Sequence, residues 1–211
     1  METLARVAAA VDGERLWREL ETLARFGATP AEGVNRQALS AEEIAARRHL
    51  IEQARQRQLA VWADTAGNIF FRLAGREPDL SPVLTGSHID SQPTGGRFDG
   101  AFGVLAGLEA LQALAAAPPR RSVVVVVWMN EEASRFAPGM MGSQAFVGQW
   151  ELSAIRGVRD AQGLSVGECL DRLQATEQDI PLTSPGFPVA AFLEAHIEQG
   201  PILEEQGVPV G

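Results

Sequence analysis

The sequence predicts an α/β domain, a three-layer α/β/α arrangement around a mostly parallel mixed sheet. The run Val123-Val124-Val125-Val126-Val127-Trp128 is continuously apolar and β-branched, the pattern of a strand covered on both faces. A shorter apolar run, Pro82-Val83-Leu84, precedes a stretch with Val104, Leu105, Leu108, Leu111 and Leu114 at helical spacing. Strand, helix and strand in that order make a βαβ unit with a right-handed crossover. A length of 211 residues suffices for one substantial core.

From the amino terminus, Leu16, Leu20, Leu23 and Ala24 recur at helical spacing with Trp17 beside them, so residues 11–26 form a helix. Gly27, Pro30 and Gly33 mark the loop that follows. Ser40-Ala41-Glu42-Glu43 has the form of a capping box, in which hydroxyl and carboxylate satisfy backbone donors reciprocally. It starts a second helix running to about residue 58, and His49 falls inside that helix among arginines, on what reads as a solvated face. Residues 61–64 and 69–73 are short β-like runs, and Thr65-Ala66-Gly67-Asn68 between them is turn chemistry that makes a hairpin. A strand at 83–86 and a helix at 104–117, stopped by Pro118-Pro119, lead into the valine strand. Residues 130–150 are loop-rich, with a short helix at 143–147. A helix at 165–175 and a strand at 190–195 follow, and Pro201 opens a last helix to 206 from a tolerated first-turn position.

The bulk numbers exclude some partners. The formal net charge of -9 argues against nucleic acid or an anionic membrane surface. The single cysteine, Cys169, allows no intrachain disulfide and fits a reducing compartment. Its amphipathic surroundings suit a half-buried helix residue better than a catalytic thiol. The first residues lack the apolar core of a signal peptide, and the longest apolar run, residues 123–129, is too short to span a bilayer. A cytoplasmic protein is the expectation.

In open α/β sheets, sites gather at the carboxyl ends of strands. The first such end carries His88, Asp90 and Asp99 on a glycine-rich loop; the second carries Asn130-Glu131-Glu132; the third carries Glu194, His196 and Glu198. His88 and Asp90 as His-x-Asp can put the imidazole on a metal while the aspartate holds its other ring nitrogen. Asp99, bordered by Gly100, can approach closely enough to bridge two ions. Adjacent Glu131 and Glu132 cannot point the same way, so one can ligate a metal while the other faces a water as general base. His196 offers another nitrogen, and nitrogen and oxygen donors without thiolate suit zinc, manganese, cobalt or nickel. Each residue has a plainer reading alone: Glu131-Glu132 as solvated surface, Asp90 as an Asx-turn residue, Asp99-Gly100 as a hairpin turn, His196 as a satisfied buried histidine. Those readings leave unexplained why all fall at one edge of one sheet.

Three segments carry a resemblance. Gly86-Ser87-His88-Ile89-Asp90-Ser91-Gln92-Pro93-Thr94-Gly95-Gly96-Arg97-Phe98-Asp99-Gly100, Asn130-Glu131-Glu132-Ala133-Ser134-Arg135-Phe136 and His196-Ile197-Glu198-Gln199-Gly200-Pro201 resemble the hydantoinase/carbamoylase group of dinuclear metal amidohydrolases. These are relatives of the carboxypeptidase and aminoacylase metallopeptidases. The resemblance implies a metallopeptidase-like catalytic domain and two divalent metal ions. His88, Asp99 and His196 would hold one ion, and Asp99 would bridge to a second held by Glu132. Glu131 would be the general base, Asp90 the partner of His88, and Gln199 a substrate contact. The reaction implied is hydrolysis of an N-carbamoyl-L-amino acid to the amino acid, carbon dioxide and ammonia. Gln92-Pro93-Thr94-Gly95-Gly96 is more similar to carbamoylase and β-ureidopropionase members than to allantoate amidohydrolases, which remain an alternative.

The family pattern continues past the position of Gly211, with a lid and dimerisation domain that makes a homodimer. It then returns to the catalytic domain with one more histidine for the second ion. On that comparison residues 1–211 are the N-terminal portion of a catalytic domain, the lid and C-terminal catalytic segment are absent, and the second metal site is incomplete. An exposed edge or apolar patch is then expected where further strands would pack. The missing histidine also admits a different class, a truncated non-catalytic remnant that binds metal or a partner without turnover.

Overall fold

Two helices, α1 (Glu2–Ala9) and α2 (Gly13–Leu23), open the chain in a computed structural model that describes residues 2–211. Asp12 caps α2 by accepting the Arg15 N–H at 2.9 Å. α1 is not expected from the sequence; Leu4, Val7 and Ala8 lie at helical spacing, but none of residues 4–9 is buried. In α3 (Ala41–Gln56) the predicted capping box forms only by half: Ser40 accepts the Glu43 N–H at 3.2 Å, but the Glu43 side chain turns into the interior. Burial there competes with the cap and wins. His49 is half-buried rather than solvated, its ring 5.4 Å from that of Phe26.

The strands are β1 (Ala60–Asp64), β2 (Ile69–Leu73), β3 (Val83–His88), β4 (Val123–Trp128), β5 (Leu182–Thr183) and β6 (Ala191–Leu193). β1 and β2 form the predicted antiparallel hairpin, and the sheet order is β5-β1-β2-β4-β3-β6. The β1–β5, β3–β4 and β3–β6 pairings are parallel, while β1–β2 and β2–β4 are antiparallel. The sheet is therefore mixed and mostly parallel, as expected. The two-residue β5, both residues exposed, is too short to read from sequence.

The helix between β3 and β4, α4 (Ala101–Ala115), starts three residues earlier than its apolar spacing indicates, because Gly100 serves as its N-cap. α5 (Met141–Phe146), α6 (Leu152–Gly157), α7 (Val166–Thr176) and α8 (Ile202–Gln206) follow, with Pro201 as the N-cap of α8 rather than in its first turn. One sheet face buries Ile69, Phe71, Val125 and Val127 against Leu20, Leu50 and Leu108 of α2, α3 and α4. The other buries Phe70, Leu84, Val124, Val126 and Trp128 under Phe146, Phe187 and Val189. A third cluster at the sheet's carboxyl edge joins Met129 and Phe136 to Met141, Ile155 and Leu170. Cys169 is buried within that cluster, and burial pushes its thiol pKa up, which suits packing rather than nucleophilic chemistry.

β6 forms the sheet edge, with Phe192 46% and Leu193 60% exposed, so this edge is open and apolar among the described residues. No helix among the described residues is long and apolar enough to cross a membrane. The parallel β3–β4 register sets His88 opposite Trp128, which brings the Asn130-Glu131-Glu132 segment beside the end of β3.

Candidate metal centre

His88 is the last residue of β3, not a loop residue, and its side chain is buried. Its Nε2 lies 3.8 Å from Asp99 Oδ1, which in turn lies 3.3 Å from His196 Nε2. One donor atom from each of the three falls within 4.8 Å of the others. Both imidazoles turn Nδ1 to a backbone carbonyl, His88 to Asp90 O and His196 to Ile197 O, each at 2.9 Å. With the proton on Nδ1, each Nε2 is left as a lone-pair donor toward Asp99.

Gly100 lets this cluster close. Its φ of +63° is a left-handed conformation, and a Cβ there would stand 2.5 Å from His88 Nε2. Asp99 Oδ1 is buried and has no hydrogen-bond partner, and the same is true of Glu132 Oε1. Buried carboxylate oxygens rarely go unpaired, because desolvation without a partner is costly. Asp99 Oδ1 beside the two imidazole nitrogens makes a donor set that fits a divalent cation.

Asp90 sits differently from the predicted pairing. Its carbonyl, not its carboxylate, takes the His88 ring, with the nearer carboxylate oxygen 3.6 Å from Nδ1. The carboxylate accepts two backbone donors instead, the Glu131 N–H at 3.2 Å and the Glu132 N–H at 3.1 Å. Asp90 thus joins the end of β3 to the segment after β4.

The two glutamates diverge. Glu131 Oε2 lies 3.6 Å from His88 Nε2, with the side chain 35% exposed. Glu132 Oε2 accepts from Gln92 Nε2 at 2.9 Å, and neither glutamate belongs to the tight His88–Asp99–His196 cluster. Burial raises the Glu132 pKa, and the nearby Asp99 charge adds to it, against the Gln92 hydrogen bond. Burial works against a charged His88, yet Asp90 and Glu131 outweigh it and lift the imidazole to about 9. The carboxylates around His88 favour a positive charge there, which a cation held at Nε2 would supply in place of the second ring proton. Gln199 is placed against the site, but its amide donates to Asp99 Oδ2, so its observed partner is a carboxylate of the cluster. Glu194 accepts from Ser87 Oγ, and Glu198 caps α8 by accepting the Leu203 N–H at 2.9 Å, so both are engaged outside the cluster. His49 stays in α3, beside Glu19 and Gln53.

Residues that the motifs do not announce hold this edge together. Gln92 donates to both the side chain and the carbonyl of Glu132, each at 2.9 Å. It lies inside the first motif, so position pointed to it, although its partner did not. Asn68, in the β1–β2 turn, accepts the Met129 N–H at 3.0 Å and donates to Gly142 O at 3.0 Å and to Asp64 Oδ2 at 2.7 Å. That ties the hairpin turn to Met129, just ahead of Asn130-Glu131-Glu132. Arg36 is buried, as is Glu43, whose pKa burial raises to about 7. Nothing in a loop arginine's sequence context distinguishes it from a solvated one.

Comparison with known proteins adds to this geometry. The model for peptidase family M28 matches residues 68–177. Among curated relatives, an N-carbamoyl-L-amino acid amidohydrolase of Geobacillus stearothermophilus is 40% identical over 205 residues, which are 95% of this chain and 50% of that protein. An allantoate amidohydrolase of Escherichia coli (strain K12) is 37% identical over 194 residues, 91% of this chain and 47% of that protein. The crystal structure of a hydantoinase/carbamoylase family amidase from Burkholderia ambifaria superposes with a TM-score of 0.89 at 44% identity, covering 94% of this chain and 48% of that one. The chain spans about half the length of the curated relatives it matches.

Proposed function

The chain belongs to peptidase family M28, and from that premise we propose that it forms the metal-binding part of an amidohydrolase acting on linear carbamoyl or amide C–N bonds. The substrate proposed first is an N-carbamoyl-L-amino acid, with allantoate and N-carbamoyl-β-alanine as alternatives. The names of the relatives support this choice. The observation that carries the reading is Asp99 Oδ1, buried without a partner between the Nε2 atoms of His88 and His196. The residues would form the N-terminal portion of a catalytic domain, a reading supported by relatives about twice as long. A homodimer is proposed on the resemblance alone.

His88, Asp99 and His196 would hold one ion, and Asp99 with Glu132 would reach a second, zinc or manganese, with cobalt or nickel also suited to these donors. A bound ion supplies Lewis-acid polarisation of the carbonyl and of the attacking water. Glu131, partly open to solvent beside His88, would take the proton from an attacking water and return it to the departing nitrogen. Asp90 fixes the backbone from which Glu131 projects, so that the base keeps its approach. Gln199 holds Asp99, and its role as a substrate contact is proposed on the resemblance.

The test is metal analysis with turnover of N-carbamoyl amino acids, N-carbamoyl-β-alanine and allantoate, comparing wild type with Glu131→Gln. The variant is expected to keep its metal and lose about 10²- to 10⁴-fold in rate, the usual contribution of a general base. Cleavage of peptides or acylated amino acids instead would refute the substrate class. Metal binding with no turnover of any substrate would favour the non-catalytic remnant.

A further inference from the structure

We infer that Arg36 is a positioning residue for the metal centre, acting through the segment Ile89-Asp90-Ser91. Arg36 is 1% exposed and forms no hydrogen bond to a carboxylate. Its guanidinium instead donates to three carbonyls: Ile89 O at 2.6 Å, Leu23 O at 3.0 Å and Phe26 O at 2.9 Å. Its backbone completes the clamp, the Arg36 N–H donating to Ser91 Oγ and the Arg36 carbonyl accepting the Ser91 N–H, both at 2.9 Å.

The residues gripped are the two neighbours of Asp90. Asp90 touches all the strand-end groups on that side of the site: the His88 ring through its carbonyl, and the Glu131 and Glu132 N–H groups through its carboxylate. One buried side chain therefore ties the end of α2 to the residue on which His88 and both glutamates are oriented. A merely structural cross-link could use a neutral donor. A planar guanidinium meets three diverging carbonyls with fixed geometry, and its buried charge faces Asp90 and Glu43. Burial lowers its own pKa to about 10, so it stays charged at neutral pH. Residues that orient metal ligands from behind typically change metal affinity by about 10- to 100-fold when altered.

The inference rests on the metal-centre reading, and the experiment separates the two. Wild type, Arg36→Lys and Arg36→Met are titrated with Co(II), with affinity and the visible d–d spectrum as readouts and thermal unfolding of the metal-free chain recorded beside them. Leu50→Ala, in the core away from the strand ends, is the control for lost stability. If wild type binds no Co(II), the metal-centre reading fails. If it binds, Arg36→Met is expected to weaken binding about tenfold or more and to alter the spectrum, with Arg36→Lys intermediate, while Leu50→Ala lowers stability with affinity and spectrum unchanged. Wild-type affinity and spectrum in folded Arg36→Met or Arg36→Lys would overturn the inference. Should neither fold, Ser91→Ala, which deletes the Oγ acceptor of the Arg36 N–H, carries the same test: a smaller loss of affinity with a shifted spectrum supports it, and wild-type behaviour in both refutes it.

Discussion

Replacing Glu43 by Gln is expected to remove a pH dependence of stability from the wild-type chain. The Glu43 carboxyl is buried against α3's own neighbours, and one of its oxygens has no hydrogen-bond partner. Burial raises its pKa from 4.5 to about 7; the Asp90 charge pushes in the same direction, while Arg47 and Arg36 oppose. The folded state therefore holds a proton that the unfolded chain releases. Below pH 4.5 both states are protonated and the full stability is present. From there to about pH 7 the unfolded state ionises alone, and stability falls by about 1.4 kcal/mol per pH unit. The loss levels off at about 3 kcal/mol once the folded carboxyl ionises as well. Gln cannot ionise, so its stability is offset by a constant and lacks this decline.

Asp64 complicates the raw curve. Burial raises it too, from 3.8 to about 6, so wild type and variant share a decline at lower pH. The informative quantity is the difference between them. Urea unfolding followed by tryptophan fluorescence at half-unit steps from about pH 4 to 8 gives that difference directly. It should be flat at the acid end and shift in favour of the variant up to about pH 7. A difference curve that stays flat across the whole range would show that Glu43 is ionised in the folded chain and would refute the reasoning.

Gly100→Ala should fold less stably and lose affinity for Co(II), since the new Cβ meets His88 Nε2 and the residue must hold a φ of +63°; strain of this kind costs about 1–3 kcal/mol before any clash. Undiminished Co(II) affinity on titration would contradict it. Asn68→Ala leaves the Met129 N–H, Gly142 O and Asp64 Oδ2 each short of a partner in the interior. At about 1–3 kcal/mol per unsatisfied group, a destabilisation of about 3 kcal/mol or more is expected by urea unfolding, and a change under 1 kcal/mol would refute the assignment.

The legible part of the fold was what periodicity and chain punctuation encode. The hairpin, the valine strand and the crossover helix all carry long apolar patterns or turn chemistry, and all are present. α1 and β5 escaped because both are short, α1 with a stripe of only Leu4, Val7 and Ala8 and β5 with two residues. Strand ends concentrate chemistry, and of the residues singled out on that ground His88, Asp99 and His196 do meet. What could not be read was the partner of each group. Ser40-x-x-Glu43 predicts a reciprocal cap, but tertiary burial takes the carboxylate away. Ser165-x-x-Glu168 has the same form, but there Glu168 is exposed, and both halves form. Arg36 and Asn68 are polar residues in loops, and only the packed structure turns them inward.

The two carboxylates of Glu131 and Glu132 show why Asp90 matters more than a partner for one histidine. Adjacent N–H groups that converge on one carboxylate hold their backbone as a tight turn. From such a turn the two side chains must leave in different directions. Glu131 goes to the His88 side and stays partly open, while Glu132 goes to Gln92 with one oxygen buried and unpaired. The backbone anchor thus sets the direction in which each glutamate leaves the turn, on which the proposed roles of base and ligand rest. Asn in place of Asp90 offers one acceptor and one donor to two N–H groups, so only one of the two anchors survives. The proposed division of labour between base and ligand depends on a carboxylate whose two oxygens are taken up by the backbone N–H groups of those glutamates.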